Sequence, residues 1–187
     1  MTNAIAVIQR LHQHRAWVNE NLLDAALRLS DEHLHQPFPI GQGSIWKSLV
    51  HLYAGEFVWL EALLGNDDPV VRGDLPRQIP GNQQGEGGFA TLVELRQEWT
   101  HLEEQWKRYL AELAPEALEE PVYKWRSAAG QAQRLATRRS DVLLHVCTHA
   151  QYTTAQAVNM LRHVGVEKLP DTMLITLARQ EMATPPA

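Results

Sequence analysis

Apolar positions recur at steps of three and four through most of the chain, the period of a helix buried along one side. Over residues 2–30 they fall at Ile5, Ile8, Leu11, Val18, Leu22, Ala25 and Leu29, with no Gly or Pro between them. Thr2 or Asn3 is placed to cap this first helix. The segment DEHLHQPFPIGQG ends it, with Pro37 and Pro39 as breakers. A second helix starts at the cap Ser44 and carries a broad stripe of Trp46, Leu49, Val50, Tyr53, Phe57, Leu60 and Leu64, stopped at Gly65. Residues 66–88 carry Gly and Pro at many positions and read as a long connection, of the kind that is functional or mobile. A third helix runs from about Phe89 to Leu113 on Leu92, Leu95, Trp99, Leu102 and Trp106.

The pattern then changes. Val122, Tyr123 and Trp125 precede a turn at Gly130, which predicts a short β-ribbon or an irregular crossover. The fourth helix starts after Thr137 or Ser140 and reaches about His163, with Gly165 as its stop. Pro170 opens a short final helix, and the tail ATPPA frays. The expected architecture is all-α: a single domain over residues 1–187, a four-helix bundle with a short additional C-terminal helix and a small β-ribbon between helices 3 and 4.

Composition narrows the class. Hydrophobic residues make up 44% of 187, enough for a packed core. The net charge of −5 and the lack of a Lys/Arg block argue against a nucleic-acid partner. No apolar run is long enough for a membrane span, and polar residues interrupt the N-terminus too early for a signal peptide. The single cysteine, Cys147, cannot form an internal disulfide. These features predict a soluble cytoplasmic protein.

The chemistry concentrates in DVLLHVCTHAQYTTAQ. His145 and His149 stand one helical turn apart, the spacing that lets two imidazoles share one ion. With nine histidines in the chain such a pair also arises by chance, and two polar residues at a helix rim are the plain alternative. The apolar setting (Val142, Leu143, Leu144, Val146, Val158) calls for partners on both ring nitrogens. A third ligand must then come from a facing helix, and His51 in SLVHLYAG is the candidate. Ala54 and Gly55 leave room there for the fourth helix. Cys147 is rotated about 200° from both histidines and reads as a packing residue. Tyr152, Thr153 and Gln156 continue the same side.

On these residues the chain resembles the DinB/YfiT-like family of metal-dependent enzymes over nearly its whole length. HRAWVNENLLDAALRLSDEHL is similar to that family's first helix, and GSIWKSLVHLYAGEFVWLEALLG to its second, whose ligand histidine falls at His51. LLHVCTHAQYTTAQAVNMLRHVG is similar to its fourth, with Gln156, Arg162 and Gly165 in register. The chain departs where the family carries a second ligand of a His-His pair: Thr153 stands there, and Thr154-Ala155 replaces Arg-Gly. Either the site uses His51, His145 and His149, which we favour, or a ligand is lost and the metal with it. A hydroxyl is a poor substitute for imidazole on a transition metal.

The resemblance implies bacterial, metal-assisted thiol transfer or hydrolysis, in a family whose name refers to DNA-damage induction. The expected cofactor is a divalent ion such as Zn or Ni, with a low-molecular-weight thiol as cosubstrate and a small-molecule substrate. Tyr152 and Glu56 are the candidates for proton transfer. The alternative is a non-catalytic helical-bundle binding protein, a degenerate member without metal. Homodimerisation through exposed apolar helix surface is compatible with either.

Overall fold

The computed structural model describes residues 3–128 and 131–183. It is mostly helical, with one small antiparallel sheet. The first helix, α1 (Ala4–Ala26), is capped by Asn3, whose side chain accepts from the Ala6 amide at 2.8 Å. Thr2, the other expected cap, lies outside the described residues. The segment expected to be a plain loop contains a short helix, α2 (Asp31–His35). Ser30 caps it, and Asp31 and Glu32 place negative charge at its N-terminal end. The second long helix, α3 (Ile45–Leu63), begins where Ser44 accepts from the Lys47 amide at 3.1 Å. The next, α4 (Leu92–Ala111), starts later than Phe89 because Thr91 is its cap.

After a 3-10 turn at Pro115–Glu119, strands β1 (Pro121–Ala128) and β2 (Gln131–Arg138) pair antiparallel, Trp125 opposite Arg134. Of the two readings of this segment, the ribbon is the one observed; the expected turn at Gly130 lies outside the described residues. The hairpin is tied to the long connection by Trp125 N–H donating to Asp67 O at 2.7 Å, and by Arg134 on the Asp67 carboxylate at 2.6 Å. Then follow α5 (Arg139–His163) and α6 (Leu174–Ala183). The final helix thus starts four residues past Pro170. Of the tail, only Ala183 is described. Among the described residues no helix is long and apolar enough to cross a membrane.

The four long helices share one core, in which Leu22, Leu49, Leu52, Leu95, Trp106, Leu143, Met160 and Leu161 are fully buried. Helix α5 packs chiefly on α3 and α1. The buried side of α1 is not uniformly apolar: between Ile8 and Leu22 it consists of His12, Arg15, Val18 and Asn19. These steps keep the helical period, so polar groups are carried into the core by register alone.

Candidate metal centre

His51 leaves the middle of α3 and His149 the middle of α5, and their rings meet. Nε2 of His51 lies 3.0 Å from Nε2 of His149, with the rings at 72°. The approach is possible because Gly55, one turn past His51, has no side chain. A Cβ there would sit 3.1 Å from Cε1 and 3.4 Å from Nδ1 of His149. The small residues that the sequence offered as space for a neighbouring helix are therefore filled by the imidazole itself.

His51 is held from behind. Its Nδ1 lies 2.7 Å from the carbonyl oxygen of Pro80, which accepts only, so Nδ1 carries the proton and Nε2 presents a lone pair. The long connection supplies that carbonyl. Its Asp74 carboxylate accepts from the amides of Gly81 and Gln83 at 2.6 and 2.9 Å, and from the Gln83 side chain at 2.9 Å. Gly81, at φ +84°, rests on the α3 backbone so closely that a Cβ would lie 2.8 Å from His51 Cα. The segment 74–83 is thus a fixed backing for His51.

The facing nitrogens can be read with either of two tautomers of His149. With protein atoms alone, His149 donates from Nε2 to the His51 lone pair. If His149 moves its proton to Nδ1, two lone pairs face one point. Ligand bonds of about 2.0–2.1 Å at octahedral or tetrahedral angles put two nitrogens roughly 2.8–3.4 Å apart, so the 3.0 Å spacing lies in the range for two ligands on one cation. Burial, and then the charges of His51 and His145, push the His149 pKa down to about 4, and burial lowers that of His145.

His145 stands one turn from His149, ring centroids 5.7 Å apart, but its ring lies edge-on to Trp59 at 5.5 Å and is partly exposed. Among the described residues no three His, Cys, Asp or Glu side chains are grouped to hold a metal ion. What the structure brings together is the facing pair of nitrogens, with His145 a neighbour of that point that does not face it. Thr153 lies one turn beyond His149 and is 2% exposed. Tyr152 is 68% exposed on the outer side of α5. Cys147 is buried, and burial pushes its thiol up to about 12.

Glu56 occupies a different place. Five residues on from His51, it is 1% exposed and accepts from Asn19 Nδ2 at 2.7 Å, from Trp99 Nε1 at 2.9 Å and from Arg15 Nη1. The same guanidinium donates to Glu103 at 2.6 Å. Beside it, His12 donates from Nε2 to the Leu143 carbonyl at 3.1 Å and lies against Trp106, centroids 4.8 Å apart and rings tilted by 37°. Reading the motifs missed this network. Its signal was present in α1, where His12, Arg15 and Asn19 occupy positions that the apolar stripe should fill.

No curated protein matches the chain. A family model described as "DinB family" matches residues 1–184, nearly the whole sequence, including both facing histidines. The chain belongs to the DinB family.

Proposed function

We propose that the four long helices form the family's bundle and that the protein is a metal-dependent enzyme acting on a thiol or water. His51 and His149 are the primary ligands, and His145 is the third once its ring leaves Trp59. The observation that carries this reading is the His51–His149 pair: two Nε2 atoms 3.0 Å apart, one of them fixed as a lone pair by the Pro80 carbonyl. A ligand imidazole whose other nitrogen donates to a backbone carbonyl is the usual arrangement in metal sites. When bound, a divalent cation lowers the pKa of a coordinated thiol or water and makes it nucleophilic near neutral pH. The chain's own residues orient the site: Pro80 sets the His51 tautomer, and Gly55 lets His149 reach it. Glu56 is engaged by three donors and is assigned to support of the helix pair, not to proton transfer.

The test is elemental analysis of protein purified without an affinity tag, then dialysed against Zn²⁺ or Ni²⁺. Near-stoichiometric metal is expected in the parent, loss in His51→Ala and His149→Ala, and weaker retention in His145→Ala. No metal in the parent overturns the reading. That outcome favours a non-catalytic binding protein of the same fold, for which Thr153 at the family's ligand position is the specific support.

A further inference from the structure

The hairpin, the connection 68–84 and α3 line an open cavity of about 670 Å³ on the His51 side of α3. Pro80 and Gly81, whose backbone backs His51, form part of its wall. Four cations line it: Lys47, Arg77, Lys124 and Arg126. Two carboxylates do so as well, Asp68 and Asp74. Both carboxylates are already engaged. Asp68 is paired with Arg77 at 2.9 Å, and Asp74 accepts from the loop's own amides. Among the described residues, Lys47, Lys124 and Arg126 make no ion pair. A chain of net charge −5 therefore presents an excess of positive charge at this cavity.

Lys124 is the most telling of the three. It shares a strand face with the buried Val122, so it points inward from the hairpin. Its ammonium lies 5.7 Å from the centroid of Trp59, the ring against which His145 is set edge-on. Burial holds its pKa below the usual lysine range, and the nearby Asp68 offsets this in part. A half-buried ammonium with no carboxylate at ion-pair distance costs desolvation energy that a bound anion would offset. The neutral alternative, an inward charge that keeps a two-stranded edge from pairing with another chain, makes no demand on the rest of the cavity.

We propose that this cavity is the recognition site for a small carboxylate-bearing substrate, anchored by Lys124 with Lys47 and Arg126 at its rim. This names the substrate class for the metal-dependent reading and rests on that reading for the word substrate; anion binding itself does not depend on the histidines.

The experiment titrates succinate, and its uncharged diamide succinamide, into the full chain and follows tryptophan fluorescence, since Trp125 lines the cavity. Saturable succinate binding is expected, weakening with ionic strength. Lys124→Gln should raise Kd by about tenfold or more. His149→Ala, whose side chain does not line the cavity, should bind succinate as the parent does even where it loses metal, so failure of the metal reading is separable. Lys47→Gln/Arg126→Gln is the second variant should Lys124→Gln not fold, with the same direction of change. Three results would overturn the proposal: no saturable binding at millimolar succinate, succinamide binding equal to succinate, or parent-like affinity in Lys124→Gln. The last would leave Lys124 as an edge charge of the hairpin.

Discussion

Replacing Glu56 tests whether this carboxylate is structural. It is 1% exposed and accepts from the side chains of Arg15, Asn19 and Trp99, which come from two different helices. Glu56→Ala leaves the Arg15 guanidinium, also buried, with Glu103 alone. Breaking a buried ion pair by removing one partner costs about 3–5 kcal/mol, because the remaining charge is uncompensated. The Asn19 amide and Trp99 N–H also lose their acceptor, at about 1–3 kcal/mol each if no water replaces it. These terms share atoms and do not add fully, so a loss of about 4–6 kcal/mol is the working figure. A domain of this size has about 5–15 kcal/mol in total, so the variant sits near its folding threshold. Glu56→Gln keeps the volume and one acceptor and should lose about half as much. Urea unfolding followed by circular dichroism measures all three proteins. The double variant Arg15→Met/Glu56→Leu removes both charges and should be more stable than Glu56→Ala. A loss below about 1 kcal/mol in Glu56→Ala would refute the assignment, as would a double variant no better than the single.

Acid sensitivity should trace in part to His12. Burial, aided by the neighbouring Arg15 charge, pushes its pKa down to about 3 from 6.5. Between those values the unfolded chain takes up a proton that the folded chain refuses, so stability is full above pH 6.5 and falls as pH drops. At pH 5 the loss from this residue is about 2 kcal/mol, read as the difference in urea stability between pH 7 and pH 5. His12→Gln should flatten that slope; an unchanged slope would reassign it to other groups. Gly55→Ala would press on the His149 ring at 3.1 Å and should weaken metal binding by about tenfold in a chelator competition. Its helix propensity favours α3 by up to about 1 kcal/mol, so thermal stability should hold while affinity falls.

Local signals located most elements because caps and periods act within a few residues. Ser44, the Gly65 stop and the apolar stripe of α3 needed no tertiary information. The errors lie where a short-range choice competed with another. Helix α2 lies just ahead of the breakers Pro37 and Pro39, and its cap Ser30 reads from the sequence as the end of α1. The start of α4 was set by Thr91, not by the nearby Phe89.

The site was legible in part for the same reason. His145 and His149 are related by sequence spacing, but spacing fixes only which helical face they share. It says nothing of ring rotation, and the ring of His145 is set by Trp59, a residue 86 positions away on another helix. The His51–His149 meeting was inferable only as a demand for a third donor, supported by the small residues at Ala54 and Gly55. The Pro80 carbonyl could not be read at all, since every residue has one and only the folded connection brings this one to His51. The Arg15–Glu56 network was in principle readable. A polar residue at a stripe position is either an error in the period or a buried group with a partner, and three in succession at the correct steps exclude the first. Such a partner must be a facing charge on another helix, and Glu56 is the one acidic side chain between Ile45 and Leu60 of the apolar α3. The carboxylate considered for catalysis by its closeness in sequence to His51 is therefore better explained by the α1 pattern, which required a buried anion opposite Arg15.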